Sequence, residues 1–160
     1  MKKLIVFILC IFSLNAFSQS SDCKIKKETI KKDGSIKYRT KVIDWLEFYK
    51  TIKGADTLYF CYLESFSNGE GVSNEPTSIG FEDGSKISKQ NSDPKSEFTL
   101  TPQRTGTYKH TDILALTVED LRQLSQKLII EFTIKGGKII HLKEKKGEKL
   151  RDGINCLLKS

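Results

Sequence analysis

The sequence predicts an α+β fold that is mainly β, with antiparallel strands joined as hairpins. Apolar and polar residues alternate over short stretches, most clearly from Leu128 to Ile134, which is the period of a half-buried strand. Asp-Gly or Gly-Gly pairs, which are typical of hairpin turns, occur at 33–34, 83–84 and 136–137. The regular alternation of strands with long helices that a parallel sheet requires is missing from the pattern.

The amino terminus has the pattern of a secretory signal peptide. Met1-Lys2-Lys3 is followed by an apolar run from Leu4 to Leu14, and small residues precede a cleavage position after Ser18. The run is too short to span a bilayer, which takes roughly 20 apolar residues. We therefore expect residues 1–18 to be removed and the protein to be exported to the periplasm or the exterior. Residues 19–160 are then a single β-rich domain with no transmembrane span.

The first predicted hairpin runs from Cys23 to Val42. It turns at Asp33-Gly34, and a two-residue loop there places Glu28 opposite Arg39 and Thr29 opposite Tyr38. The many lysines on these strands predict a position at the edge of a sheet.

The next stretch, 44–52, is ambiguous. Its aromatic and β-branched composition favours a strand, whereas Asp44 and Glu47 could form the capping box of a helix. We favour the strand. Further strands are expected at Thr57–Phe66, in a hairpin turning at Asp83-Gly84, and at Phe98–Leu100.

Two helices are expected. Val118, Leu121 and Leu124 recur at helical spacing after a capping Thr117, which predicts a short helix near 118–126. A second helix is predicted near 147–158, with Leu150, Ile154, Leu157 and Leu158 on one face. Gly153 within it costs about 1 kcal/mol relative to alanine, so we expect tertiary packing to stabilise this helix.

The hairpin after Ile134 allows a prediction of its register. A three-residue loop, Lys135-Gly136-Gly137, places Phe132 opposite Ile140 on the apolar face and Glu131 opposite His141 on the other. Gly137 would supply the left-handed residue that such a loop needs. We therefore expect His141 to be a structural partner of Glu131 near solvent.

Three long polar connections, 67–77, 88–97 and 101–110, separate the predicted strands. A ligand site would lie on such loops, because binding residues are commonly carried by loops on a rigid scaffold. Disordered segments would lie there as well.

Three cysteines follow the predicted cleavage site: Cys23, Cys61 and Cys156. In an exported protein one disulfide and one free thiol are expected. Cys61 lies in TLYFCYLESF, a run that is apolar on both faces, and is expected to be buried. Cys156 lies at the flank of the last helix and Cys23 begins the first strand, so we predict a Cys23–Cys156 disulfide.

Positive charge is concentrated near the two ends of the domain. Residues 24–41 carry eight basic and two acidic side chains, and residues 135–151 carry seven and two. If these ends meet, they form a basic face that would attract an anionic surface, a polysaccharide or an acidic protein. Edge-strand protection by lysine is the alternative explanation, and nucleic acid is not expected because aromatic residues are not interleaved with these lysines. The lysines of the predicted face are Lys24, Lys26, Lys27, Lys143, Lys145 and Lys146.

Catalytic, cofactor and metal motifs are weak. Cys61 with His110 or His141 could form a nucleophile pair, and Glu82 with Asp83 could act as paired carboxylates. A buried strand cysteine is usually inert, however, and acidic residues are common in hairpin turns. The spacings of a calcium loop, a phosphate-binding loop and a zinc site do not occur in the sequence, so we expect no cofactor and no metal.

The chain resembles a loose group of small, uncharacterised exported proteins of Bacteroidota. The resemblance is carried by the leader ending in NAFSQ, an early Cys23 on a charged strand, TLYFCYLESF, GFEDGSKI, TVEDLRQLSQKLIIEFTI and EKLRDGINCLL. It implies export and a single β-rich domain with a closing helix, and it implies no particular activity.

These observations favour a non-enzymatic binding or envelope-associated module. The alternative is a small periplasmic hydrolase or ligand-carrying enzyme that uses loop residues around 67–77 and 101–112. A pocket that brings together Asp112, His110 or Glu82 would favour the alternative.

Overall fold

The computed structural model describes residues 23–68, 73–90, 97–103 and 106–160, so the predicted signal peptide lies outside it. The described residues form ten strands and two helices. The strands are β1 (Lys26–Thr29), β2 (Ile36–Arg39), β3 (Leu46–Lys53), β4 (Asp56–Ser67), β5 (Thr77–Phe81), β6 (Lys86–Lys89), β7 (Glu97–Pro102), β8 (Tyr108–Leu116), β9 (Ile129–Thr133) and β10 (Ile140–His141). The helices are α1 (Val118–Gln126) and α2 (Glu144–Lys159).

The strands form two antiparallel sheets, as the sequence predicts. The larger sheet has the order β1-β2-β3-β4-β8-β7, and the smaller has the order β10-β9-β5-β6. The lysine-rich β1 lies at an edge of the larger sheet, which confirms that expectation. The predicted strand at 44–52 is observed as β3, so the helical alternative for this stretch is wrong.

Both sheets and both helices contribute to one hydrophobic core. The larger sheet contributes Leu46, Phe48, Cys61, Leu63 and Leu114; the smaller contributes Ile79, Phe81, Ile87, Ile129 and Phe132; the helices contribute Leu124, Leu150, Ile154 and Leu157. Strand alternation places Leu46 and Phe48 of β3, and Cys61 and Leu63 of β4, on the core face of the larger sheet. Helix α2 packs on β3, β9 and α1.

The helix predictions are confirmed. Thr117 caps α1 by accepting a hydrogen bond from the Asp120 amide, and Asp120 Oδ2 accepts one from the Thr117 amide, which is the reciprocal capping box. Helix α2 begins at Glu144, three residues before the predicted start, and its Leu150, Ile154 and Leu157 are buried as expected. Leu158, which was expected on the same face, is exposed.

The predicted register of the first hairpin is wrong by two residues. Glu28 pairs with Lys37 and Thr29 with Ile36, so Arg39 faces Lys26. The Ile30 amide donates to the Ser35 carbonyl, which leaves four residues in the loop. A two-residue type I′ turn needs positive φ at both positions, but Gly34 has a positive φ and Asp33 does not. The Asp33 carboxylate instead accepts hydrogen bonds from the Ser35 amide and hydroxyl.

In the hairpin from β9 to β10 the predicted register is confirmed. Phe132 faces Ile140, Glu131 faces His141, and His141 Nδ1 lies 3.3 Å from Glu131 Oε2 near solvent. The loop differs in one detail: Lys135 and Gly136 have positive φ, and Gly137 does not. The tight turn is closed by the Gly137 amide donating to the Ile134 carbonyl.

The connection expected at 101–110 is much shorter than predicted. Strand β7 extends from Glu97 to Pro102, well beyond the predicted 98–100, and β8 already begins at Tyr108. Residues 108–112 are therefore paired strand residues, because β8 pairs with both β7 and β4. Parts of the connections 67–77 and 88–97 lie outside the described residues.

Candidate functional site

The two basic segments of the chain meet beside the disulfide. Cys23 and Cys156 are bonded, with Cα atoms 5.5 Å apart, as predicted. This bond ties the residues that precede β1 to the last turns of α2. Next to it lies a groove of about 350 Å³, which we call the α2 groove. It is lined by Lys24, Ile25, Thr40, Lys41, Ile43, Lys149, Leu150, Asp152, Gly153 and Cys156.

The α2 groove combines an apolar floor with a cationic rim. Lys24 and Lys41 belong to the first basic segment and Lys149 to the second, and all three are exposed. Asp152 is the acidic residue of the lining. The groove therefore carries a net positive charge of two, on lysines that the fold leaves free to meet a ligand.

The six lysines of the predicted basic face do not lie on one surface. Lys24 lines the α2 groove, whereas Lys26 and Lys27 are neighbours in β1 and so point to opposite faces of the sheet. Lys26 Nζ lies 2.6 Å from Glu28, and Lys27 Nζ lies 5.6 Å from the centre of the Tyr38 ring. These two side chains are thus engaged with the hairpin itself.

The remaining three, Lys143, Lys145 and Lys146, open helix α2. Lys143 is its N-cap residue, and Lys146 lies one turn before Lys149 of the groove. Cations at a helix N-terminus oppose the helix dipole, so this placement does not stabilise α2. Lys146 donates to both carboxylate oxygens of Asp44, at 2.6 and 2.7 Å, while Lys143 and Lys145 are exposed.

Asp44 belongs to a second feature, a two-residue turn between Ile43 and Leu46. The amides of Ile43 and Leu46 each donate to the other residue's carbonyl, at 2.9 and 3.0 Å. Asp44 and Trp45 both have positive φ, of 46° and 69°. Such a conformation is uncommon for residues other than glycine, and for a bulky residue it indicates strain. The turn directs Trp45 away from the core.

Trp45 lies in an exposed apolar patch. It is 50% exposed, and its ring contacts the edge of Phe66, which is 40% exposed, with ring centres 5.2 Å apart. Ile139, 47% exposed, borders the same hollow of about 400 Å³. We call this surface the Trp45 patch, and it is lined by Trp45, Ser65, Phe66, Lys138, Ile139, Ile140 and His141.

The Trp45 patch adjoins the α2 groove. Ile43 lines the groove, Asp44 binds Lys146 of α2, and Trp45 follows directly in the patch. The ion pair of Asp44 with Lys146 of α2 therefore lies between the two surfaces.

Asp112, one of the residues named for the enzymatic alternative, is buried in a structural cluster with Thr77 and Lys135. Asp112 is 1% exposed and accepts hydrogen bonds from the Thr77 hydroxyl at 2.5 Å and from the Ile113 amide at 2.9 Å. The Thr77 hydroxyl also accepts from the amide of buried Lys135. Burial raises the pKa of Asp112, although Thr77, Lys135 and the Ile113 amide act in the opposite direction. The cluster ties the two sheets together and lines none of the grooves described above.

A Cys61–histidine nucleophile pair is not formed. Cys61 pairs with Leu114 and His110 with Ser65, so the cysteine and this histidine are separated by four strand residues, roughly 13 Å. His110 Nε2 instead lies 2.6 Å from the Ser67 hydroxyl, and His141 is paired with Glu131 in the other sheet. Cys61 is fully buried, and burial raises the pKa of its thiol well above the usual value, which makes it inert.

Glu82 and Asp83 lie in the β5–β6 turn, as predicted. Asp83 accepts hydrogen bonds from the Ser85 amide and hydroxyl and from Lys127, whose Nζ lies 2.8 Å from Oδ2. The bonds from Lys127 and Ser85 lower the pKa of Asp83. Both acidic residues are exposed, and Asp83 serves the turn.

A polar hollow of about 540 Å³ lies on the outer face of the larger sheet, beside β7. Two residues of its lining are paired with buried Glu64, which accepts from the Tyr62 hydroxyl at 2.8 Å and from Lys109 at 2.6 Å. The bond from Glu64 raises the pKa of Lys109, while burial and Glu64 raise that of Tyr62. Lys109 is therefore neutralised by Glu64, and the other charged residue of the lining is the exposed Glu97, so the hollow offers no free positive charge to an anion.

Sequence reasoning missed the Trp45 patch. Asp44 is a common turn residue, but the bulky Trp45 after it is not, so the composition of 44–45 gives only half of a turn signal. The alternation in DWLEFY does carry a signal, because it places Trp45 on the face of Glu47, opposite the buried Leu46 and Phe48.

Within the part of the chain that the structure describes, none of the helices is long and apolar enough to cross a membrane. Over those same residues, His, Cys, Asp and Glu side chains do not gather in threes as a metal site would require. Comparisons with family models, with curated proteins and with solved structures find no match for this chain.

Proposed function

We propose that this chain is a non-enzymatic, exported binding module that attaches to an anionic surface or polymer of the cell envelope. The observation that carries the proposal is the meeting of the two basic segments, with Lys24, Lys41 and Lys149 around one groove. Lysines clustered on one surface attract polyanions over about one Debye length, roughly 8–10 Å at ordinary salt.

Edge protection accounts for some of these lysines but not for all of them. Lys26 and Lys27 lie on an edge strand, where lysine prevents pairing with other chains. Lys143, Lys145 and Lys149 lie on a helix, where no sheet edge needs protection, and the first two oppose the helix dipole. Binding of an anion is a physical reason for lysines at these positions.

The Cys23–Cys156 disulfide supports the exported location, because disulfides persist in oxidising compartments. Export with cleavage after Ser18 predicts that the mature protein begins at Gln19. Mass spectrometry of the protein recovered outside the cytoplasm would test this. A mature chain that retains residues 1–18 would contradict the cleavage, and recovery only from the cytoplasm would contradict the export.

The anionic partner is tested by retention on a heparin column in a salt gradient. The triple variant Lys24→Gln, Lys41→Gln and Lys149→Gln should elute at distinctly lower salt than the wild-type protein. The control variant changes Lys31, Lys32 and Lys159 to Gln, which alters net charge equally at exposed positions away from the groove lining. Equal elution of the two variants would show that only net charge matters, and it would overturn the assignment of the groove.

A further inference from the structure

The Trp45 patch exposes three large apolar side chains at one end of the molecule. Trp45, Phe66 and Ile139 are each between 40% and 50% exposed, and they border one hollow. Scattered exposed apolar residues are normal on a protein surface, whereas contiguous ones mark an interaction surface. The turn that holds Trp45 outward is also strained, since two successive non-glycine residues have positive φ.

Positive charge borders this apolar surface. Lys138 lines the hollow, and Lys143 and Lys145 follow shortly after His141 along the chain. The nearby acidic groups are largely compensated: Asp44 is bound by Lys146, and Glu131 by His141 and Lys86. Glu144, between Lys143 and Lys145, and Glu75, whose carboxylate lies close to Gly136, carry the negative charge that remains near these lysines. A partner that binds the Trp45 patch should therefore have an apolar region with anionic groups at its border.

We propose that the Trp45 patch docks on an anionic phospholipid surface. Trp45, Phe66 and Ile139 enter the boundary between headgroups and acyl chains, while Lys138, Lys143 and Lys145 meet the lipid phosphates. The inference rests on the proposed function and names the anionic surface as a lipid bilayer. Tryptophan is favoured at the bilayer interface because its ring is amphipathic, and lysines near an anionic leaflet strengthen binding.

Membrane attachment depends on the exposed apolar residues and the lysines together. Stable peripheral attachment generally requires two signals, such as an apolar anchor together with a basic cluster. The Trp45 patch supplies the anchor and the adjoining lysines of α2 supply the cluster. A soluble acidic polysaccharide would use the lysines but has no apolar phase into which Phe66 and Ile139 could be transferred, so the lipid surface is the better match.

Trp45 is the single tryptophan of the chain, so its fluorescence reports directly on the patch. The protein is mixed with vesicles of phosphatidylglycerol and phosphatidylcholine in equal parts, and with vesicles of phosphatidylcholine alone. With the anionic vesicles we expect a blue shift of the emission and quenching by lipids brominated on their acyl chains. Much weaker binding is expected with phosphatidylcholine alone, and added salt should weaken the binding to anionic vesicles.

Two variants with unchanged net charge test whether the apolar side chains of the patch contribute to vesicle binding. Phe66→Ser with Ile139→Ser should lower partitioning into the anionic vesicles about tenfold, from the apolar area that no longer enters the bilayer. Leu58→Ser is the control, because Leu58 is 46% exposed but lies outside the patch. It should bind like the wild-type protein, and circular dichroism verifies that each variant is folded.

The outcomes distinguish this inference from the proposed function. Binding to anionic vesicles without any change in Trp45 emission would mean that the lysines bind alone, which overturns the patch as an anchor and leaves the proposed function standing. Retention on heparin without vesicle binding would identify an acidic polysaccharide and would overturn the lipid surface. Failure in both assays would overturn the proposed function as well.

Discussion

Gly147 of α2 lies directly against the backbone carbonyl of Ile129 in β9, so closely that a β-carbon would not fit between them. Leu128 closes the same space from the side. Replacing a helical glycine with alanine normally stabilises a protein by about 1 kcal/mol. At this position we expect Gly147→Ala to destabilise instead, by about 1–3 kcal/mol, because the helix must move away from the sheet. Urea denaturation monitored by circular dichroism measures the difference.

Gly153 is the matched control in the same helix. A β-carbon there would meet Thr40 Cγ2 and Cβ at 3.4 and 3.5 Å, which is ordinary contact. Gly153→Ala should therefore raise the free energy of unfolding by about 0.5–1 kcal/mol. If both substitutions changed stability in the same direction, the close packing of α2 on β9 would be wrong.

The disulfide should contribute strongly to stability, because it joins residues 133 positions apart. In the loop-entropy model a closed loop of that length contributes about 5 kcal/mol, as an upper value. The double variant Cys23→Ala and Cys156→Ala should unfold at much lower urea than the oxidised wild-type protein. The wild-type protein in reducing agent should match the variant, since Cys61 is unaffected by the reduction. A stability that did not change on reduction would mean that the unfolded chain is constrained by other means.

Asp112 predicts a pH dependence of stability in mildly acidic solution. Burial raises its pKa in the folded protein above the value of 3.8 expected for an exposed side chain. At pH values between the pKa of the unfolded chain and the higher pKa of the folded protein, Asp112 is protonated in the folded protein and ionised in the unfolded chain. The stabilisation is thus complete below the unfolded pKa and is lost as the pH rises through the folded pKa, with a slope of at most about 1.4 kcal/mol per pH unit.

In Asp112→Asn this decline of stability above the unfolded pKa should disappear. The readout is the slope of the unfolding free energy against pH, because the substitution also removes the negative charge near Lys135 and changes the absolute stability. Asp83→Asn is the control: Lys127 and Ser85 lower the pKa of Asp83, so its contribution is lost only at more acidic pH. An unchanged slope in Asp112→Asn would assign the titration to another group.

The hairpins show what the sequence can and cannot predict. Between β9 and β10, Phe132 and Ile140 must share the buried face, so the apolar pattern determines the register whatever the turn does. The register was therefore predictable although the left-handed glycine was misplaced. In the first hairpin, β1 presents lysines on both faces, and a shift of two residues exchanges one polar pair for another. The choice then depends on the Asp33–Ser35 hydrogen bonds, which composition alone does not indicate.

The candidate site was also predictable only in part: the disulfide followed from the sequence, and the lining of the groove did not. Cys156 at the flank of its helix and Cys23 at the start of its strand were sufficient to predict the disulfide. Once the disulfide is accepted, the approach of the two basic ends follows. The contribution of Lys149 and Lys41 was not predictable, because it depends on how α2 crosses the segment 40–43. The exposure of Trp45 depends on a turn with two left-handed residues; Asp44 is compatible with such a turn, but Trp45 gives no indication of it.

The final prediction concerns that turn. A left-handed backbone costs an L-residue roughly 1–2 kcal/mol, and glycine avoids this cost. Trp45→Gly removes the contact with Phe66, which is worth about 0.5–1.5 kcal/mol. It also creates Asp-Gly, a favoured pair for such a turn, so relief of the backbone strain should offset most of that loss. Trp45→Ala loses the contact and keeps the strain. We therefore expect the glycine variant to be more stable than the alanine variant by about 1 kcal/mol, as measured by urea denaturation, although glycine normally loses more conformational entropy on folding than alanine does. If the alanine variant were the more stable one, the backbone at 44–45 would relax once the indole is removed. The strain would then depend on the Trp45 side chain and not on the turn itself.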